Sequence, residues 1–217
     1  MLIHYQPPLW PYLDILYQDN DLLILNKPSG LLSVRGKAPE HQDSLERRVG
    51  MVFPTARIVH RLDMATSGVV VMALNAESHR HLNRQFELRQ TEKHYIARIE
   101  GQLLAAQGSV ELPLICDWPN RPKQMVCFTH GKKALTHFTR LALEEQHSRV
   151  KLVPVTGRSH QLRVHMQWLG HPILGDKFYA SPTGLAAASR LQLHAEYLAF
   201  CHPVQGNRLE FRAACPF

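Results

Sequence analysis

One carboxylate stands out by its setting. A short apolar piece, Ile58-Val59, leads into His60-Arg61-Leu62-Asp63, then Thr66-Ser67-Gly68 and the apolar run Val69 to Leu74. Asp63 therefore sits where a strand ends and a tight polar turn begins, next to an arginine. A carboxylate there can act as base or nucleophile if a cation keeps it ionised. The same residues also suit a turn-forming Asp with a surface salt bridge. A second cluster runs from Gly157 to His165 and holds Arg158 and Arg163. In a helix over these residues Leu162 and Met166 point inward, while Arg163 shares another face with Gln167. An ordinary amphipathic helix with a solvated arginine fits equally well. Tyr95 is a third candidate, on the same strand face as Ala97 and Ile99, where a core tyrosine is the plainer reading.

Other chemistries fail on spacing. Gly30 to Lys37 imitates a phosphate loop, but five residues separate Gly30 from Gly36 and Ala38 stands where a magnesium-holding hydroxyl is needed. His60 to Asp63 imitates a kinase catalytic loop, yet Leu62 breaks the spacing and no Asp-Phe-Gly follows. His194-Ala195-Glu196 matches the first half of a zinc deaminase signature. The partner cysteines are missing, because Cys201 and Cys215 lie 14 apart. His160 and His165 are five apart, roughly 140° around a helix, and cannot chelate one ion.

The elements that must position these residues follow from periodicity. Leu22 to Leu25 reads as a strand ended by Asn26-Lys27-Pro28-Ser29-Gly30. Leu45, Val49 and Val52 make Ser44 to Phe53 helical. Val69 to Leu74 reads as a strand buried on both faces, and Asn75 caps a helix over Ala76 to Glu87 with His79, Leu82 and Phe86 on one face. From Thr91 the period changes to two. Strands are expected at Val110 to Cys116, Gln124 to Phe128, Ala134 to Leu143 and Arg149 to Val155. A helix over Ser159 to Leu169 is stopped by Gly170 and Pro172. Leu191 to Phe200 and Arg208 to Phe211 close the chain as strands. Many strands with few helices and no βαβ alternation indicate an α+β fold on a largely antiparallel sheet. Pro7, Pro8 and Pro11 make residues 1–12 an extended arm, leaving residues 13–217 as a single domain.

Composition sets the class of partner. The 217 residues are 45% hydrophobic and 20% charged, which excludes disordered, collagenous and coiled-coil chains. The longest apolar run is six residues, against about 20 for a membrane span. With no secretory signal evident and no Cys-x-x-Cys, reduced thiols and a cytoplasmic location are expected. The net charge is +7. Residues 1–72 carry seven charges of each sign, so the excess lies downstream. The acid-free stretch between Asp117 and Glu144 holds Arg121, Lys123, Lys132, Lys133 and Arg140; another, from Gln146 to Gly175, holds Arg149, Lys151, Arg158 and Arg163. A polyanion such as nucleic acid suits this distribution, as does a solvated basic face.

Five segments in order carry a specific resemblance: Asn26 to Leu31, His60 to Gly68, Gly157 to His165, Gly170 to Asp176 and Leu193-His194-Ala195. They resemble the RluA family of pseudouridine synthases, from about Leu13 to Phe211. Asp117 to Gln124 is similar to the A branch, which modifies both rRNA and tRNA and has no appended S4-like module. The resemblance implies the pseudouridine synthase fold, with an active-site cleft across the sheet, and isomerisation of uridine in 23S rRNA and tRNA stem-loops without cofactor or metal, by a monomer. It implies that Asp63 is the catalytic carboxylate and Arg163 its cationic partner. Tyr95 would stack on the uracil and take the C5 proton, and Leu193 would wall the pocket. Arg61 would fill the space of the flipped base. With His60, Arg121, Lys123, Lys132, Lys133 and Arg158 it forms the expected RNA-binding set. A silent RNA-binding domain of the same fold is the alternative, disfavoured because Asp63, Tyr95 and Arg163 are all present; a zinc deaminase is a distant third.

Overall fold

The computed structural model describes residues 5–217. In chain order its elements are β1 (Ile15–Gln18), β2 (Leu22–Lys27), α1 (Leu45–Val52), β3 (Arg57–Ile58), β4 (Ser67–Ala73), α2 (Ala76–Glu87), β5 (Glu92–Glu100), β6 (Gln107–Glu111) and β7 (Leu114–Cys116). There follow β8 (Gln124–Val126), β9 (Leu135–Leu143), β10 (His147–Pro154), α3 (Gln161–Trp168), α4 (Pro182–Ala186), β11 (Leu193–Cys201) and β12 (Arg208–Arg212). The chain divides into two compact units. Among the described residues, one takes 5–93 together with Ala195–Pro216; the other takes His94–His194 and Phe217. Part of the expected arm, residues 1–4, lies outside the described residues. Tyr5 anchors the rest by donating its hydroxyl to the Asp43 carbonyl and accepting from the Leu32 amide.

In the first unit β2 pairs antiparallel with β1 and β4, and β4 continues to β11, which carries β12. The β2–β4 register is unbroken from Leu22 opposite Ala73 to Lys27 opposite Gly68. Every residue of β4 is buried, as an unalternating apolar run requires. One face packs Leu22, Ile24, Val69 and Val71 against Leu82 of α2 and Phe200 of β11. Asn75 starts α2 as expected, its side chain accepting from the Ser78 amide at 2.9 Å. Gly68 has φ +119°, and a Cβ there would overlap the backbone of Ala195. Glycine is thus required on conformational and steric grounds.

In the second unit β10 pairs with β5 and β9, and β6 extends this set from β9. The strand expected over Val110 to Cys116 is two strands, because Pro113 has no amide for a ladder. β6 stays with β9, while β7 turns away to form a separate hairpin with β8. That hairpin packs on α3 through Leu114, Val126, Val164 and Tyr179. The helix α3 buries Leu162 and Met166 as expected. All six residues from Gln161 to Met166 are buried, so it is no amphipathic surface helix. Its polar side chains are satisfied internally. Gln161 donates to Thr136 Oγ1 at 3.0 Å and accepts from Thr156 at 2.7 Å, while His165 Nδ1 meets Thr136 Oγ1 at 2.9 Å. Burial holds the His165 imidazole below its usual pKa, against a smaller opposing effect of the Leu112 carbonyl.

Gly68→Ala should cost about 3 kcal/mol or more through backbone strain and overlap. Calorimetry should show this as a fall in Tm of roughly 6–12 °C. A melting temperature equal to the parent's would contradict the account of this position.

Candidate active site

The Asp63 turn is held by the loop that follows β2. The Asp63 carbonyl accepts from the Thr66 amide at 3.1 Å, closing a four-residue turn. Ser33 Oγ donates to the Leu62 carbonyl at 2.7 Å and accepts from the Leu62 amide at 3.2 Å. The Met64 carbonyl accepts from the Gly30 amide at 2.8 Å and from Lys27 Nζ at 3.1 Å, and the Ala65 carbonyl accepts from Ser29 Oγ at 2.7 Å. Each carbonyl from Leu62 to Ala65 thus has a donor, which fixes the backbone that carries the Asp63 side chain. Lys27 is fully buried. Its ammonium also donates to the carbonyls of Pro28 and Leu31 at 2.8 and 2.7 Å, so one cation ties two loops together. Lys27 and Ser29 stand in the first of the five resembling segments, Asn26 to Leu31, which assigns them no role. The signal was available: a lysine closing a run of buried apolar residues.

Asp63 is half-buried and Arg61 exposed on the same loop. His60 is not placed with the exposed cations of the expected RNA-binding set. Its Nε2 accepts from the Val71 amide at 3.2 Å, and its ring stacks on Phe86 at 4.7 Å. Burial, with a smaller contribution from the Lys93 charge, lowers its pKa to about 3. The neutral ring joins the Asp63 loop to β4 and α2 and offers no charge to phosphate.

Arg163, Tyr95 and Leu193 belong to the second unit. Arg163 is buried on α3. Its Nε and Nη2 donate to the two carboxylate oxygens of Asp176, each at 2.7 Å. Asp176 is buried too and accepts from the Phe178 amide at 3.0 Å. The guanidinium lies 5.3 Å from the Phe178 ring centre and 5.2 Å from that of Tyr179, within cation–π range. A fork paired on one edge and faced by rings has its orientation fixed, with Nη1 on the edge away from Asp176. The Tyr179 hydroxyl accepts from the Gln124 amide at 2.8 Å and meets His160 Nδ1 at 2.7 Å, linking this cluster to the β7–β8 hairpin. Asp176 stands in the Gly170 to Asp176 segment without a legible role, because pairing across 13 residues leaves no local pattern. Tyr95 is half-buried on β5 opposite Leu152, and Leu193 is buried at the start of β11.

The remaining cations of the expected RNA-binding set lie in the second unit. Arg121, Lys132, Lys133 and Arg158 are exposed and Lys123 is half-buried. Arg158 Nε donates to the Lys133 carbonyl at 3.1 Å, joining two of the acid-free stretches. Arg121 lies over the Trp118 ring at 4.4 Å. Among the described residues one cluster has metal-ligand proximity: Asp19, Asp21 and His202. Its atoms are already engaged. Asp19 accepts from the Asp21 and Leu22 amides and from Tyr17 and His202, and Asp21 accepts from Asn75 and Ser78. It is a structural knot of hydrogen bonds.

With this geometry in view, the comparisons with known proteins decide the family. The family model described as RNA pseudouridylate synthase matches residues 21–168. The chain belongs to the RNA pseudouridylate synthase family. It is 54% identical over 215 residues to the dual-specificity RNA pseudouridine synthase RluA of Salmonella typhimurium, covering 99% of this chain and 98% of that protein. To the enzyme of the same name from Haemophilus influenzae it is 54% identical over 217 residues, covering 100% and 99%. Among solved structures, Human RNA Pseudouridylate Synthase Domain Containing 1 superposes with a TM-score of 0.81 at 30% identity, over 98% of this chain and 87% of that one. The α+β pseudouridine synthase fold and the enzyme class expected from sequence are therefore correct, and RNA is the substrate class. No helix among the described residues is long and apolar enough to cross a membrane.

The His60 environment predicts a pH effect with a definite sign. In the unfolded chain imidazole gains a proton below about pH 6.5. In the folded chain it gains one only near about 3. Between these values the unfolded state binds more protons, so stability falls as pH falls, by up to about 1.4 kcal/mol per pH unit. His60→Gln should flatten this decline in urea unfolding between about pH 6 and pH 4. A decline parallel to the parent's would show that the ring takes its proton without unfolding.

Proposed function

We propose that Asp63, Tyr95 and Arg163 act on one flipped uridine. The observation that carries this reading is the mounting of Asp63, on a turn whose every carbonyl is bonded, in a chain of this family. In the reaction the C1′–N1 bond breaks, the uracil turns, C5 bonds to C1′, C5 loses its proton and N1 gains one. Asp63 supplies the ionised oxygen near the ribose, whether it attacks C1′, attacks C6 of the ring or removes the 2′ proton. Arg163 is its counter-charge, and the Asp176 pair keeps the guanidinium oriented for that task. Tyr95 gives the base an apolar face and its hydroxyl receives the C5 proton. Leu193 closes the pocket wall, and Arg61 stacks in the space the base vacates, as a planar guanidinium can. Arg121, Lys123, Lys132, Lys133 and Arg158 hold the RNA backbone.

We infer that the enzyme works as a monomer in the cytoplasm on hairpins from both 23S rRNA and tRNA, the dual specificity named for its relatives. A chain of this size buries roughly 1,000–2,500 Å² against nucleic acid, enough for one stem-loop. Loop bases are also the cheapest to flip.

Asp63→Asn keeps the side chain's size and removes its charge. It should bind RNA as the parent does and lose about 10³-fold or more in turnover, read as release of tritium from C5 of uridine. Tyr95→Phe should lose about 10²-fold or more by the same assay. Substantial turnover by Asp63→Asn would remove Asp63 from the chemistry. As to substrate, a synthetic anticodon stem-loop should be modified about as well as whole tRNA, and an rRNA hairpin without ribosomal proteins. Activity confined to intact tRNA or assembled subunits would refute recognition of a single stem-loop.

A further inference from the structure

The second unit carries a pair of large aromatic rings on its surface that the reaction does not use. Phe128 follows β8 and Trp168 ends α3. They are 71% and 56% exposed, yet their rings meet edge to face with centroids 6.2 Å apart. Apolar rings this exposed are held in place by their backbones. The loop bearing Phe128 is closed at its root by reciprocal bonds between Leu114 and Lys132 of 3.0 and 2.8 Å, and across its neck by the Gly131 amide on the Cys127 carbonyl at 2.9 Å. Gly131 is close-packed there, since a Cβ would overlap the Cys127 carbonyl and Pro113. The helix that ends in Trp168 is buried over six residues and anchored by the Gln161–Thr136–His165 network. Val126 and Val164 bring loop and helix together. The pair is therefore preorganised, with little conformational entropy left to lose on binding.

Charge selects the occupant. Lys132 and Lys133 follow the Phe128 loop directly and are exposed, Arg158 is bonded to Lys133, and no acid occurs between Asp117 and Glu144. Rigid aromatic rings bordered by cations suit stacked nucleobases with phosphates alongside. We propose that Phe128 and Trp168 form a stacking platform for an unpaired nucleobase of the substrate RNA, distinct from the uridine that reacts. This rests on the proposed RNA-binding role of the same basic stretch, and it adds a contact that reads base faces rather than phosphates. Stacking tolerates any base, so such a platform would grip loops of different sequence.

The test uses the full-length enzyme with Trp10→Phe and Trp118→Phe, which leaves Trp168 as the sole tryptophan. A synthetic anticodon stem-loop should quench its fluorescence. Inorganic polyphosphate, which has charge but no bases, should bind at low salt without quenching. In the otherwise native enzyme, Phe128→Ala and Trp168→Ala should each raise KM for the stem-loop about 5- to 100-fold. kcat and the dependence of affinity on salt should stay as in the parent. Equal quenching by polyphosphate, or unchanged KM in both variants, overturns the platform. So does sedimentation showing, without RNA, a dimer that Phe128→Ala dissolves, since the rings would then face a second copy. If the stem-loop does not bind the parent enzyme at all, the proposed RNA-binding stretch fails instead, which filter binding distinguishes from loss of quenching alone.

Discussion

A single buried ammonium organises the first unit around its chemistry. Lys27 lies where β2 ends, opposite Gly68, and its Nζ serves carbonyls of Pro28, Leu31 and Met64. Burying a cation is costly unless its donors are satisfied. Three carbonyl partners match the three N–H bonds of an ammonium. Charge-assisted bonds of this kind contribute roughly 1.5–3 kcal/mol each. They also impose geometry, because a carbonyl from the Asp63 turn must come to the same point as two from the β2 loop. The serines extend this constraint. Ser29 and Ser33 have short side chains that reach only adjacent backbone, so they can join the loops only if the loops are already in contact. The result is a catalytic candidate on a turn held by hydrogen bonds as well as by the burial of Leu62 and Thr66.

The second unit solves the corresponding problem for a cation. Breaking a buried ion pair by removing one partner is strongly destabilising, while the intact pair contributes little net stability. The Arg163–Asp176 pair is thus better understood as a device for orientation. Asp176 takes one edge of the fork, the Phe178 amide holds Asp176, and two rings lie close to the guanidinium. Lysine could not substitute, since a point charge on a flexible stem has no edge to fix. The hydroxyl of the same Tyr179 accepts from the Gln124 amide, so the hairpin bearing Trp118 and the arginine share a support.

Local signals proved legible where the physics is local. Asn75 and the spacing of Leu82 and Phe86 defined α2 to the residue, and the unbroken run from Val69 marked a strand buried on both sides. Gly170, with φ +82°, stops α3 as read. Pairings distant in sequence left no such trace. The carbonyl partners of Lys27 include one 37 residues away, and nothing in the spacing of Lys27 and Met64 announces it. On α3 the inward Leu162 and Met166 were legible and the buried polar residues were not, for a related reason. Periodicity reports which residues are apolar, but Gln161, Arg163 and His165 are polar and buried because partners elsewhere in the unit satisfy them. The short strand β3 and the five-residue helix α4 are too brief to show a period at all.

The distribution of charge also needs the structure to be interpreted. A net charge of +7 overstates the cations that can meet a polyanion. Lys27, Arg48 and Arg163 are buried. Arg48 is held by both oxygens of Asp43 at 2.8 and 2.7 Å, Arg98 is paired with Glu144, and Arg208 with Glu92 and Glu210. These cations are structural; carboxylates offset the arginines locally, while Lys27 is held by carbonyls. Counterion release depends on cations that reach phosphates, not on net charge. Of the cations expected to bind RNA, Arg121, Lys132, Lys133 and Arg158 are exposed in the second unit and Arg61 on the Asp63 loop, while the first unit also exposes Lys37, Arg47, Arg57, Arg80, Arg84 and Arg89. Affinity from a few phosphate contacts is modest and independent of sequence. If hairpins are the substrate, as proposed, selection among them must come from contacts that read shape and base faces, a task for which rigid exposed rings suit better than a further lysine would.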